Sequence, residues 1–208
     1  MRKRFRIRGY AIASADGMIA DRTGLMPNAL KLEADQRFFE AALEGADVVV
    51  HGRKSHEGQA NSPRRRRLTL TRRIAGVAPD PGNPNGRLWN PAGASLDQAC
   101  AEVGCEGGTI AVLGGPAVYS MFLPIGYDNF YLTRAINVRL PGGMPVFVEG
   151  RHGCTPEQLL SRFGLEHGQT RRLDDEVTLV ELKRLDARGI AARASSRLTP
   201  RRRPARCC

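Results

Sequence analysis

The stretch Thr109 to Pro124, TIAVLGGPAVYSMFLP, restricts the fold more than any other in the chain. Ile110 to Leu113 is a short apolar run, of a length that suits a strand buried on both faces. Gly114-Gly115-Pro116 breaks the run, and Val118, Met121 and Phe122 then recur at helical spacing. The pattern predicts strand, glycine turn, helix. Gly114 and Gly115 carry no Cβ, so a ligand can approach their backbone closely. Pro116 suits a first helical turn, where its missing N–H costs nothing. Free N–H groups at such a helix start favour an anionic group such as a pyrophosphate. A plain tight turn would use the same residues. The uncharged run from Gly107 to Tyr127 has the length of a membrane span, but its glycines and prolines fit strand–turn–helix better.

A chain of 208 residues can bury one sizeable core. Its formal net charge of +11 is unevenly placed. Residues 187–208 carry seven arginines and no acids, leaving +4 for the rest. The body is therefore not strongly basic, and the charge does not argue for a nucleic-acid-binding fold. Residues 186–208 lack apolar periodicity and read as a basic, disordered tail. Cys100, Cys105, Cys154, Cys207 and Cys208 form no regular framework or metal spacing, which suggests a reducing compartment. The basic N-terminus lacks the apolar core of a signal peptide. The expectation is a soluble, cytoplasmic protein.

Phe5 to Ser14 reads as a first strand, closed by the turn signal Asp16-Gly17. Met18-Ile19-Ala20 and a polar loop follow. Leu32 to Leu43 is an amphipathic helix whose broad face carries Leu32, Phe38, Phe39, Ala42 and Leu43. Asp35 lies three and four positions before the two phenylalanines, so it can project on or beside that face. A carboxylate there is costly unless paired. Position alone favours a solvent-facing first-turn acid held by the helix dipole, and Glu33 competes for that role. Ala46 to His51 is a second buried strand. Gly52, Arg53, Lys54 and Ser55 follow it; they can bind phosphates, or simply start a helix capped by Ser55. His51 and His56 read as surface histidines.

Leu68 to Thr71 is a third short strand, with Arg64 to Arg67 before it and Arg72-Arg73 after it. Such cations line a solvated loop or hold two anionic ends of ligands. Residues 78–94, rich in Pro, Gly and Asn, read mainly as loop, with Trp89 in a short strand-like piece. Ser95 to Val103 is a helix capped by Ser95. Asn129 to Ala135 and Val177 to Arg184 are strands, with a turn-rich loop at Pro141 to Pro145 and a short helix at Pro156 to Phe163.

Four segments in order, YAIASADGMIA, VVVHGRKSHE, LTLTRR and IAVLGGPAVYSMFLP followed by YDNFYLTRA, together resemble the dihydrofolate reductase-like superfamily. This superfamily includes dihydrofolate reductases and the reductase domain of riboflavin biosynthesis. The resemblance spans residues 6–185. It implies a three-layer α/β fold, a mixed and mostly parallel sheet with helices on both faces, and NADPH as cofactor. Gly114, Gly115, Pro116, Ala117, Val118 and Tyr119 match the turn along the pyrophosphate and nicotinamide. Gly52, Arg53, Lys54 and Ser55 match the phosphate turn. Thr71 and Arg72 match the 2′-phosphate site, and Ala11, Ile19 and Ala20 the nicotinamide side. LEADQRFF places Asp35 on the position of the acid that orients a pterin, with Thr133 as its supporting threonine. Ile12, Phe38, Phe39 and Arg65 then fall on the substrate side.

Three features depart from dihydrofolate reductases. Met26-Pro27 is followed by Asn28, not tryptophan; the approach to the helix is longer; and SADGMIA looks more like the riboflavin-pathway enzymes. The leading expectation is NADPH-dependent reduction of a pterin, 7,8-dihydrofolate to tetrahydrofolate. The alternatives are reduction of a ribosylaminopyrimidine phosphate of riboflavin biosynthesis, and a non-catalytic nucleotide- or RNA-binding protein. A small-molecule substrate and a homodimer complete the expectation, with no specific nucleic-acid partner, no membrane partner and no metal.

Overall fold

The computed structural model of the chain describes residues 4–54 and 62–184. In chain order they form β1 (Phe5–Ser14), β2 (Met18–Ala20), α1 (Glu33–Glu44), β3 (Val48–Gly52), β4 (Arg67–Leu70), β5 (Val77–Asp80), β6 (Asn83–Trp89), α2 (Leu96–Glu102), β7 (Gly108–Val112), α3 (Pro116–Ile125), β8 (Asn129–Ala135), β9 (Met144–Pro145), α4 (Pro156–Arg162), β10 (Leu165–Arg172) and β11 (Val177–Arg184). A nine-stranded sheet has the order β10-β11-β8-β1-β7-β3-β4-β6-β5. β8, β1, β7, β3, β4 and β6 run parallel, while β10, β11 and β5 are antiparallel to their neighbours. β2 and β9 pair separately. The mixed, mostly parallel sheet agrees with the expectation from sequence.

The alternation of β1 sorts the two faces. Phe5, Ile7, Ala11 and Ala13 enter the larger core with Ala99 and Cys100 of α2, Phe122 of α3 and Leu160 of α4. Tyr10 turns to the other face, where Phe38, Phe39, Ala42 and Leu43 of α1 meet Val49 and Ala111. Helices thus cover both faces. Ser95 and Thr155 cap α2 and α4, each in a reciprocal box with the Gln three residues on.

Two expectations are corrected. Residues 78–94 are not mainly loop: β5 and β6 lie there, and Leu70 of β4 pairs with Trp89. Their hydrogen bonds come from a distant strand, which local composition cannot show. Trp89 is buried and donates from Nε1 to Ala94 O at 2.8 Å. β10 was not expected at all. It is an edge strand with Leu165 as its one buried residue, so it shows no alternation. Ser55, His56, the Arg-rich tail and Cys207-Cys208 lie outside the described residues. Among the described residues no helix is long and apolar enough to cross a membrane.

Gly9 leaves the space that the ring of Phe130 fills on the neighbouring strand. A Cβ there would meet that ring and lie 3.0 Å from Tyr127 Cε1. Gly9→Ala is expected to destabilise the fold by about 1–3 kcal/mol through overpacking. Urea unfolding checks this, and Phe130→Leu in the same chain should recover part of the loss.

Candidate active site

All the parallel strands present their carboxyl ends on one sheet edge, where open α/β sheets bind ligands. The glycine turn lies there. Gly52 N, at the end of β3, donates to Gly114 O at 2.7 Å, and Leu113 N to Val50 O at 2.9 Å. The Gly114–Gly115 peptide is cis, and Gly114 has φ +91°. A Cβ at Gly114 would lie 2.6 Å from Tyr119 Cζ, and one at Gly52 would lie 3.4 Å from Val118 Cγ2. A side chain at Gly114 would therefore crowd the place where β7 and α3 converge, whereas a Cβ at Gly52 would only touch α3. Gly115 is the N-cap of α3 without a side-chain cap, and Pro116 occupies the first turn. Val118 N and Tyr119 N donate to Gly115 O at 2.9 and 3.0 Å. Ala117 is exposed on this first turn, and Arg53 and Lys54 are exposed directly after Gly52. At the end of β4, Thr71 is buried and its Oγ1 accepts from Arg73 N at 3.2 Å, while Arg72 and Arg73 are exposed. The edge thus combines glycine backbone, a helix start and surface cations, a set that suits a ligand with several phosphates.

Asp35 occupies the first turn of α1 and is only partly exposed. Glu33, its competitor, faces solvent and pairs with Arg37 at 2.6 Å. Asp35 instead accepts a hydrogen bond from the hydroxyl of Thr133, which is buried in β8. Burial raises the Asp35 carboxyl from its usual range to about 6, and the Thr133 hydroxyl offsets only part of that rise. Tyr119 connects the acid to the glycine turn. Its hydroxyl donates to the Tyr10 carbonyl, its own carbonyl accepts from Tyr127 Oη at 3.0 Å, and its acidity is lowered first by burial and then by the charge of Asp35.

The other expected residues fall into groups. Ile12 pairs with Thr133 across the strands and packs with Leu30 and Leu32, close to α1. Ala11 faces the larger core. Ile19 and Ala20 form β2, held beside Met144 and Pro145 of β9. Phe39 packs at 6.3 Å from the Tyr10 ring. Phe38 turns toward Tyr10, Tyr131 and Arg171. Arg65 is half-buried in the turn before β4.

Local sequence missed three features. His51 is not a surface histidine; it is buried, and its Nδ1 lies 2.8 Å from Gly52 O. Arg67, the last of the arginine run, is buried too. It donates to His51 Nε2 at 2.8 Å and to Ser62 Oγ at 2.7 Å. Because an arginine only donates, His51 Nε2 accepts, and Nδ1–H is left to donate to Gly52 O. That chain braces the turn after β3 from behind. Asp16 is more than a turn residue: its carboxylate accepts from Ser14 Oγ at 2.5 Å and from Leu140 N at 3.0 Å, tying the first turn to the loop after β8. The run RRRR and the dipeptide DG carried no sign of these partners, which are distant in sequence.

No family model and no curated protein matches the chain. Solved structures do. A protein assigned to riboflavin biosynthesis from Shewanella sp. PV-4 aligns at TM-score 0.59 with 19% identity, over 87% of this chain and 99% of that one. The diaminohydroxyphosphoribosylaminopyrimidine deaminase/5-amino-6-(5-phosphoribosylamino)uracil reductase of Thermotoga maritima aligns at 0.60 with 16% identity, over 88% of this chain and 58% of that one. Dihydrofolate reductase of Enterococcus faecalis, complexed with NADP(H) and RAB-propyl, aligns at 0.55 with 16% identity, over 87% and 97%. The chain has the dihydrofolate reductase-like fold.

The raised carboxyl of Asp35 has a stability signature. An acid whose folded value lies above its unfolded value loses folding free energy as it ionises. The loss is absent below about pH 4 and complete above about pH 7. Asp35→Asn is expected to be more stable than wild type at pH 8, by up to about 3 kcal/mol, with no difference at pH 4. Urea midpoints at the two pH values measure this; a pH-independent difference would mean that Asp35 is not held out of water.

Proposed function

We propose that the chain is an NADPH-dependent reductase of a dihydropterin, with 7,8-dihydrofolate reduced to tetrahydrofolate as the leading reaction. The observation that carries this reading is the partly buried Asp35 joined to the Thr133 hydroxyl, on the fold of a reductase that binds NADP(H). The residues present fit the cofactor. The glycine turn leaves no room for side chains at Gly114, and the exposed Arg72 and Arg73 favour a 2′-phosphate over a free hydroxyl. Gly52, Arg53, Lys54, Gly114, Gly115 and the first turn of α3 would hold the phosphates; Ala11, Ile19, Ala20 and Tyr119 would border the nicotinamide. NADPH held there would supply the hydride for reduction at C6 of the pterin.

The chain's own work is to orient the heterocycle and manage the proton that N5 must gain. Asp35 accepts hydrogen bonds from the amidine edge of the pterin, while Thr133 keeps its carboxyl in one orientation. With its carboxyl near pH 6, Asp35 can hold a proton beside the ring at mildly acidic pH and orient it as the anion above that. Ile12 and Phe39 supply apolar walls. Residues 1–185 form the reductase domain in this reading, and residues 186–208 a basic extension.

A second reading is favoured by the riboflavin-pathway names of two aligned structures and by the arginines at residues 64–66. It makes the substrate a ribosylaminopyrimidine phosphate, with those cations on the phosphate. NADPH absorbance separates the two readings. Oxidation with dihydrofolate, not the sugar phosphate, is expected, and Asp35→Asn should lower kcat by about 10²–10⁴ with NADPH affinity almost unchanged. Turnover of the sugar phosphate alone would transfer the assignment to the second reading.

A further inference from the structure

We propose a second ligand site, on the α1 face of the sheet, that takes a planar aromatic carboxylate. A cleft of about 310 Å³ opens there between α1 and strands β1, β8, β11 and β10; Asp35, Thr133 and the glycine turn are not among its lining residues. Its apolar wall is aromatic. Tyr10 and Tyr131 stack with ring centroids 5.1 Å apart and planes 13° from parallel. Phe38 leans on the pair, 6.4 Å from Tyr10 and 5.7 Å from Tyr131. Two arginines line the same cleft. Arg171 places its guanidinium carbon 5.5 Å from the Phe38 centroid. Arg8 donates to the Tyr10 hydroxyl, but its Nε is buried with no hydrogen-bond partner among the described residues.

Arg8 is half-buried and lines the cleft together with Arg171, and two guanidinium groups on one aromatic wall favour an anionic acceptor there. A carboxylate accepts from a guanidinium edge in a planar, two-oxygen geometry, and the aromatic wall suits a flat ring attached to it. Glu181 also lines the cleft, but its Oε1 accepts from Asn129 Nδ2 at 2.8 Å. The remaining balance, two arginines against one acid, favours a monoanion over a doubly charged phosphate. The volume lies near the small end for ligand pockets and suits a one- or two-ring acid. Phe38 lines this cleft, whereas the family resemblance implied a place for it on the substrate side.

The test uses the full chain and 2-naphthoate as probe, titrated by calorimetry and by saturation-transfer NMR. Saturable one-to-one binding in about the sub-millimolar range is expected. Excess NADPH or dihydrofolate should leave it in place. The neutral 2-naphthylmethanol should bind at least about tenfold more weakly, and Arg8→Met should weaken naphthoate by a similar factor. Arg171→Gln, at an exposed position, should weaken it about threefold and decides the matter if the Arg8 variant does not fold. Absence of saturable binding would overturn the proposal. So would equal binding by wild type and the arginine variants, or displacement by dihydrofolate, which would place the probe beside Asp35. Equal binding of inorganic phosphate would reject the aromatic part and leave only an anion site.

Discussion

Gly114 must meet three demands at once. Its backbone takes a left-handed φ, its carbonyl accepts the Gly52 N–H, and the Tyr119 ring lies where a side chain would begin. Glycine alone meets these demands without strain. The consequence spreads outward. The hydrogen bond joins the ends of β3 and β7, so the first turn of α3 and the cations after Gly52 face the same edge. Tyr119, packed against Gly114, reaches across to the Tyr10 carbonyl of β1. One close approach thereby holds the glycine turn in a fixed relation to β1.

Asp35 shows the opposite kind of constraint. It is kept where it is unfavourable. The neighbouring Glu33 takes the solvent-exposed pairing with Arg37, and Asp35 is left with burial and the Thr133 hydroxyl. Burial outweighs the hydroxyl, which leaves a carboxyl able to exchange a proton in mildly acidic solution. A fully solvated acid at the same helix start would gain stability from the helix dipole but would be ionised throughout that range. The unfavourable placement is therefore what brings the carboxyl into the range where it can take up or release a proton near pH 6. His51 and Arg67 follow a related logic: two polar groups are buried together, and their mutual hydrogen bond braces Gly52 O.

The segments most legible in the sequence were those whose signals are local. The apolar run, the glycines and Pro116 announced β7, the turn and α3 within a single window. Ser95 announced the start of α2 in the same way. β6 was hidden because asparagine, proline and glycine dominate it and its partner is β4. β10 was hidden because it buries only Leu165. At the candidate site, resemblance brought Asp35 and Thr133 together, but spacing alone favoured an ordinary surface acid.

Local chemistry along the chain defines the parts: a strand–glycine–helix unit, cations after two strand ends, and an acid beside an apolar helical face. These follow from periodicity, the absence of a Cβ and fixed charge, which are properties of neighbouring residues. Which of these parts meet is settled by the packing of strands and helices that lie far apart in the chain. It put Asp35 against Thr133, set Arg67 on His51, and turned Phe38 into an arginine-lined aromatic cleft. Burial and hydrogen bonding depend on residues brought in from distant strands, and no local pattern carries that information.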